Sequence, residues 1–98
     1  MPAVLLDLND PSFQETLLSL QRDEAWAVLT TLKKIKQLDW SQLYADRGLR
    51  WEAILSKQGA EGRRIYSLRV TKRVRAVAYR EGDYLPLLSL HLDHDSAY

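Results

Sequence analysis

The sequence predicts an α+β fold: a short N-terminal strand and an αα-hairpin packed on a C-terminal antiparallel β-meander. Three observations predict it. Apolar residues recur at helical spacing between Pro11 and Gln37. Short runs of β-type residues follow one another from Arg63 to Leu90, separated by two tight turns. The chain has 98 residues, 46% hydrophobic and 28% charged, which suits one domain spanning 1–98 with a modest core and argues against disorder.

In order, Val4 to Leu8 is apolar and stops at Asn9-Asp10-Pro11, which predicts a short edge strand. Asp10 before Pro11 is a helix start, because the carboxylate accepts from unpaired amides and a first-turn proline loses no bond. Phe13, Leu17 and Leu20, with Leu18 beside them, give that helix one apolar face through about Gln21. Asp23-Glu24 opens a second helix to about Gln37, with Ala25, Val28, Leu29, Leu32 and Ile35 as its inner stripe. Lys33, Lys34 and Lys36 suit the negative end of its dipole. Asp39-Trp40-Ser41-Gln42 reads as a capping box opening one or two helical turns that Gly48 ends. Leu49, Trp51, Ala53 and Leu55 alternate with polar residues as in a strand, interrupted by Ile54. Ser56 to Gly62 reads as a surface loop.

In the meander, Tyr66, Leu68 and Val70 share one face, and Ile65, Ser67 and Arg69 the other. Thr71-Lys72-Arg73 is the first turn. Val74, Ala76 and Ala78 then oppose Arg75, Val77 and Tyr79. Glu81-Gly82-Asp83 is the second turn, with Gly82 free to take positive φ. Tyr84 to Leu90 is the last strand, where Pro86 argues for an edge position or a bulge.

The chain has no cysteine, so disulfide frameworks and thiol chemistry are excluded. The short apolar run Ala3-Val4-Leu5-Leu6 is neither a signal-peptide core nor a membrane span, so the protein is read as cytoplasmic, with no membrane partner. A net charge of +1 hides an asymmetry. Residues 1–45 carry four basic and six acidic side chains, and residues 46–98 carry ten and seven. Seven basic residues and no acidic one lie between Arg63 and Arg80. A local basic strip on a weakly charged scaffold points to a local anionic partner.

Three-residue turns place Arg69 across from Arg75, with Ser89 opposite Arg75 and His91 opposite Arg73 on the same face. A two-residue turn would swap which residues of the last strand face the arginines. Opposed arginines cost a few tenths to about 1 kcal/mol, and a chain can hold them if an anion sits between them. That anion is either a carboxylate of the protein (Glu52, Asp93 or Asp95) or a phosphate, which arginine grips with parallel bonds. The tail adds His94 and Tyr98, which share a face if the tail is helical and can both move protons. His91, His94, Asp93 and Asp95 are potential metal ligands, but no standard spacing is present and the arginines repel cations.

The order of elements, YSLRV (66–70), the arginine of VRAVAY (74–79) and the closing HDSAY (94–98) resemble the RelE/ParE toxin superfamily. The resemblance spans the chain, with its sequence support in residues 66–80 and 94–98. It implies a toxin of a type II toxin–antitoxin system that cleaves messenger RNA on the ribosome without metal or other cofactor. It also implies a cognate antitoxin partner, and a homodimer is compatible with it. By position, Arg75 and Arg69 would hold the scissile phosphate, and Tyr98 and His94 would carry acid–base work. Lys72 and Arg73 would contact flanking phosphates, with Arg64, Ser89 and His91 completing the substrate-binding set. Other members of the superfamily poison DNA gyrase, so a binding module without catalysis, or a non-toxic relative, is the alternative.

Overall fold

The computed structural model describes residues 2–58 and 62–92. Its strands are β1 (Leu5–Asp7), β2 (Glu52–Gln58), β3 (Arg64–Arg69), β4 (Val74–Ala78) and β5 (Tyr84–Leu92). Its helices are α1 (Pro11–Ser19), α2 (Arg22–Lys36) and α3 (Trp40–Ala45). The strands form one five-stranded sheet in the order β1-β5-β4-β3-β2. β2 to β5 are an antiparallel meander, and β1 runs parallel to β5 at one edge. The α+β arrangement read from the sequence is therefore present.

The helix boundaries follow the local chemistry. Asp10 accepts from the Ser12 amide at 2.8 Å with Pro11 in the first turn of α1. The predicted capping box at α3 is complete: Asp39 accepts from the Gln42 amide, and the Gln42 side chain accepts from the Asp39 amide. Phe13, Val28, Leu32, Ile35, Trp40 and Leu43 bury themselves against Leu68, Val70, Val74, Ala76, Ala78, Leu85, Leu87 and Leu90. All three helices thus contribute to a core on one face of the sheet. The alternation in β3 and β4 sends every second residue into that core, and its neighbours to the opposite, open face. A smaller cluster of Ile54, Ile65, Val77 and Leu88 occupies part of the open face.

Five expectations change. Leu18 and Leu29, read as part of the apolar faces of α1 and α2, are 83% and 41% exposed. β2 continues to Gln58, so the surface loop does not begin at Ser56. Within β2 the pairing slips between Ala53 and Gln58, Ile54 is buried and Leu55 is 87% exposed, the reverse of the alternation. α3 ends at Ala45 with Asp46 as its cap, ahead of Gly48. Pro86 lies in an interior strand, which excludes the edge position and leaves the other alternative, a bulge, which forms two residues on at Leu88. The sheet accommodates it where β4 ends: the Tyr79 amide donates to the Pro86 carbonyl at 3.2 Å, and proline has no amide to return the bond.

The turn joining β4 and β5 is anchored to the helical layer. Trp40, fully buried, donates its ring N–H to the Asp83 carbonyl at 2.9 Å. The Arg80 guanidinium lies 4.4 Å from the centre of the Trp40 ring. It also donates to the Tyr44 hydroxyl at 2.9 Å and to the Gly82 carbonyl at 2.7 Å.

Asp46 ties α2 to the segment leading into β2. It pairs with Lys34 at 2.9 Å and accepts from the Leu49 amide at 2.9 Å. The Lys34 contact, helped by the backbone bonds and opposed by partial burial, holds its carboxyl below the usual carboxylate range. A depressed folded-state value stabilises the fold above the unfolded-state value and is lost as pH falls through the folded one. Asp46→Asn is therefore expected to cost on the order of 1 kcal/mol at neutral pH. The difference from wild type should close as the pH drops below about 4 in urea melts.

Candidate active site

The geometry of the open face starts with the first turn of the meander. Three residues, Thr71-Lys72-Arg73, close it, and the Val70 amide donates to the Val74 carbonyl at 2.9 Å. That turn fixes the register Leu68↔Ala76 and Arg69↔Arg75, as the sequence predicts. Residues directly opposed in an antiparallel pair share a face, with Cβ atoms roughly 5 Å apart. Leu68 and Ala76 point into the core, so Arg69 and Arg75 stand together on the open face.

The second turn differs from expectation. Glu81 pairs with Tyr84 around a two-residue turn of Gly82 and Asp83, with Gly82 at φ 62°. On its own that turn would reverse the faces of β5. The pairing then slips between Val77 and Ala78, whose partners are Ser89 and Leu87, and the extra residue Leu88 reverses the faces again. Ser89 and His91 therefore stay on the arginine face, shifted by two positions. His91, not Ser89, is opposite Arg75, and Ser89 is opposite Val77.

The result is a row across three strands: Arg69 on β3, Arg75 on β4 and His91 on β5. The next row holds Ser67, Val77 and Ser89, with Ser67 buried. Ser89 Oγ and His91 Nε2 share a hydrogen bond of 2.8 Å, which holds the imidazole beside Arg75. Glu52, one of the carboxylates expected to neutralise the arginines, pairs with Arg50 at 3.4 Å. Among the described residues Arg69 makes no ion pair. Asp93, Asp95, His94 and Tyr98 lie outside the described residues.

The other basic residues separate by position. Arg64 is exposed at the start of β3, four residues short of Leu68 and on the same side of the strand as that core residue, away from the Arg69 row. Lys72 and Arg73 are exposed at the turn, and Arg73 lines a shallow groove with Gln21, Arg22, Asp23 and Glu24. Arg63 pairs with Glu81 at 2.9 Å and covers the Tyr79 ring, and Arg80 is held by Trp40 and Tyr44. Sequence reasoning placed Ser67 on the Arg69 face but gave it no part in the site. The Arg69 amide donates to Leu49, next to Arg50, and Arg50 itself sits at φ 50°, for which the sequence carries no glycine-like signal. Among the described residues no three potential ligands converge as a metal site.

A chain of the archaeal RelE–RelB complex from Pyrococcus horikoshii has a similar structure, with a TM-score of 0.59 over 97% of this chain and 98% of that one, at 11% identity. This protein has a RelE/ParE-like toxin fold. A copper-bound mutant toxin from Helicobacter pylori is also similar, with a TM-score of 0.49 at 20% identity over the full length of both chains. No family model matches the sequence, and no curated protein matches it. At such low identity the likeness shows the RelE/ParE-like fold alone, and the chemistry of the arginine row stands on this chain's own residues.

Opposed guanidinium groups on an open sheet face carry an electrostatic cost. Arg69→Gln should raise the urea midpoint at low ionic strength by the equivalent of about 0.2–1 kcal/mol. The gain should shrink as salt is added, because screening weakens the repulsion being relieved. A midpoint that is unchanged or lower would mean the pair is already compensated in place.

Proposed function

We propose that this chain is the toxin of a toxin–antitoxin pair, and that its arginine row cleaves messenger RNA at the ribosome. The observation that carries the reading is the register that sets Arg69 directly against Arg75, with His91 next in line. The RelE–RelB complex among its structural neighbours supports an antitoxin as the partner.

The chemistry is transesterification within the RNA. A 2′-oxygen attacks the adjacent phosphorus, and the bond from phosphorus to the 5′-oxygen breaks. The products are a 2′,3′-cyclic phosphate and a 5′-hydroxyl. Two guanidinium groups converging on the phosphate offset the charge that builds on its equatorial oxygens. One proton must leave the 2′-hydroxyl and one must reach the departing 5′-oxygen. His91 is an imidazole beside Arg75 with its ring held by Ser89, so it is suited to one of these transfers. Tyr98 and His94 are the proton carriers that the sequence resemblance implies.

Induced expression with mapping of transcript ends tests this reading. Wild type should arrest growth and leave transcripts cut with cyclic-phosphate ends. Arg75→Ala should lose cleavage by about 10²–10³-fold, as for removal of one donor to a developing anion. It should also stay folded. Cleavage persisting in Arg75→Ala, or arrest with intact transcripts, would contradict it, the latter favouring a gyrase-type target.

A further inference from the structure

The arginine row occupies one end of the open face, and the other end is built differently. Ala78, Leu85 and Leu87 are in the core, so Tyr79, Tyr84 and Pro86 stand on the open face. The Tyr79 amide bonds to Pro86, and Pro86 is paired with Asp7 of β1, so Tyr79, Pro86 and Asp7 form a row of their own. With Tyr84 and Asn9 they line an open pocket of about 660 Å³. The pocket begins four residues along from Arg75, roughly 13 Å at 3.3 Å per residue. The described residues between the two ends are uncharged: the Ser67–Val77–Ser89 row, then Ile65 and Leu88.

The lining selects the occupant. Glu81, at the rim, is held by Arg63 at 2.9 Å, and the same arginine covers the Tyr79 ring. Tyr84 is 51% exposed, so its ring is the one left open for stacking. Among the described residues Asp7 is in no ion pair, and its one hydrogen bond is from the Asn9 amide to Oδ1 at 3.0 Å. A carboxylate has lone pairs for further donors. An aromatic face beside such a carboxylate takes a flat group that donates through its edge, and repels a phosphate. A nucleobase with an exocyclic amine meets both conditions. Uracil presents a carbonyl where cytosine presents its amine, and a carbonyl set against a carboxylate is unfavourable. A cationic side chain of a protein would also suit a ring and an acid. The face shared with Arg69 and Arg75 favours the base, because an RNA strand held there by a phosphate reaches the pocket over uncharged ground.

We propose that the Tyr84–Asp7 pocket is a second RNA subsite, which stacks an amine-bearing base on Tyr84 and accepts its amine on Asp7. The inference rests on the reading that the open face receives RNA. It gives the protein a choice of sequence at a nucleotide removed from the phosphate held by the arginines.

The test measures binding without cleavage. The whole chain is titrated into a short fluorescein-labelled 2′-O-methyl oligouridine, and into the same oligomer with one central cytidine. The capped 2′-oxygen cannot attack. Anisotropy should show the cytidine oligomer binding at least about fivefold more tightly. Asp7→Asn should abolish that preference, and Tyr84→Ala should weaken the cytidine oligomer about tenfold. Tyr84 is exposed, and asparagine keeps an acceptor for the Asn9 amide, so both variants should keep the wild-type circular dichroism. Arg75→Ala should weaken both oligomers alike and leave the preference in place. Equal binding of the two oligomers, or a preference that survives Asp7→Asn, would overturn the pocket and leave the nuclease reading standing. Intact transcripts on expression, with the cytidine preference present, would overturn the nuclease reading and support the pocket. Binding of neither oligomer would overturn the inference. So would Tyr84 ring signals in NMR that move with arginine amide and not with cytidine monophosphate, which would assign the pocket to a protein side chain.

Discussion

The opposition of Arg69 and Arg75 is the constraint on which the functional reading depends. It is a by-product of hydrophobic alternation. Leu68, Val70, Val74 and Ala76 must all face the helices, and a three-residue turn joins the two strands. Those requirements leave Arg69 and Arg75 no freedom to avoid each other. Burying an aliphatic side chain stabilises by roughly 1.5–3 kcal/mol, whereas opposed like charges on a sheet cost about 1 kcal/mol or less. The core therefore wins, and it sets two guanidinium groups side by side on the face it leaves behind. A site held by core packing is also rigid, which suits groups that must receive a phosphate in one orientation.

The basic run from Arg63 to Arg80 is not one surface. Arg63 and Arg80 are consumed by the fold, each lying over aromatic rings and reaching acids or carbonyls near the turn between β4 and β5. Arg64 belongs to the other side of the sheet, and Lys72 and Arg73 project from the turn. Only Arg69 and Arg75 meet in one cross-strand row. The charge count therefore overstates the size of the site and understates its focus. The aromatic set of Trp40, Tyr44, Trp51 and Tyr66 explains where Arg80 goes: these rings form a contiguous cluster, with Trp51 and Tyr66 stacked at 4.4 Å.

Much of this was legible in the sequence because the signals were local. Asp10-Pro11 and the Asp39–Gln42 box mark helix starts through their own hydrogen bonds. Alternation in β3 and β4 fixes faces without reference to distant residues. The errors arose where distant pairing decides. β1 inserts beside β5 and makes it interior, which excludes the edge position, one of the two alternatives that Pro86 left open. The bulge at Leu88 moves His91 onto Arg75, and its position depends on how Val77 and Ala78 pair. The burial of Ile54 over Leu55 reflects a slip against β3 and a second apolar cluster on the open face. The Arg80 site joins residues from α3 and the last turn, contacts that sequence spacing does not encode.

The central claim is that Arg69 and Arg75 together form one receptor for a phosphate. The most direct measurement is a titration of the whole chain with inorganic phosphate, observed through the arginine side-chain Nε–H signals by NMR. The account predicts that the Arg69 and Arg75 signals move along one shared binding curve, which Arg69→Gln weakens and which Arg64 does not follow. Shifts at Arg64 or Arg80 without shifts at the pair, or separate curves for Arg69 and Arg75, would contradict it.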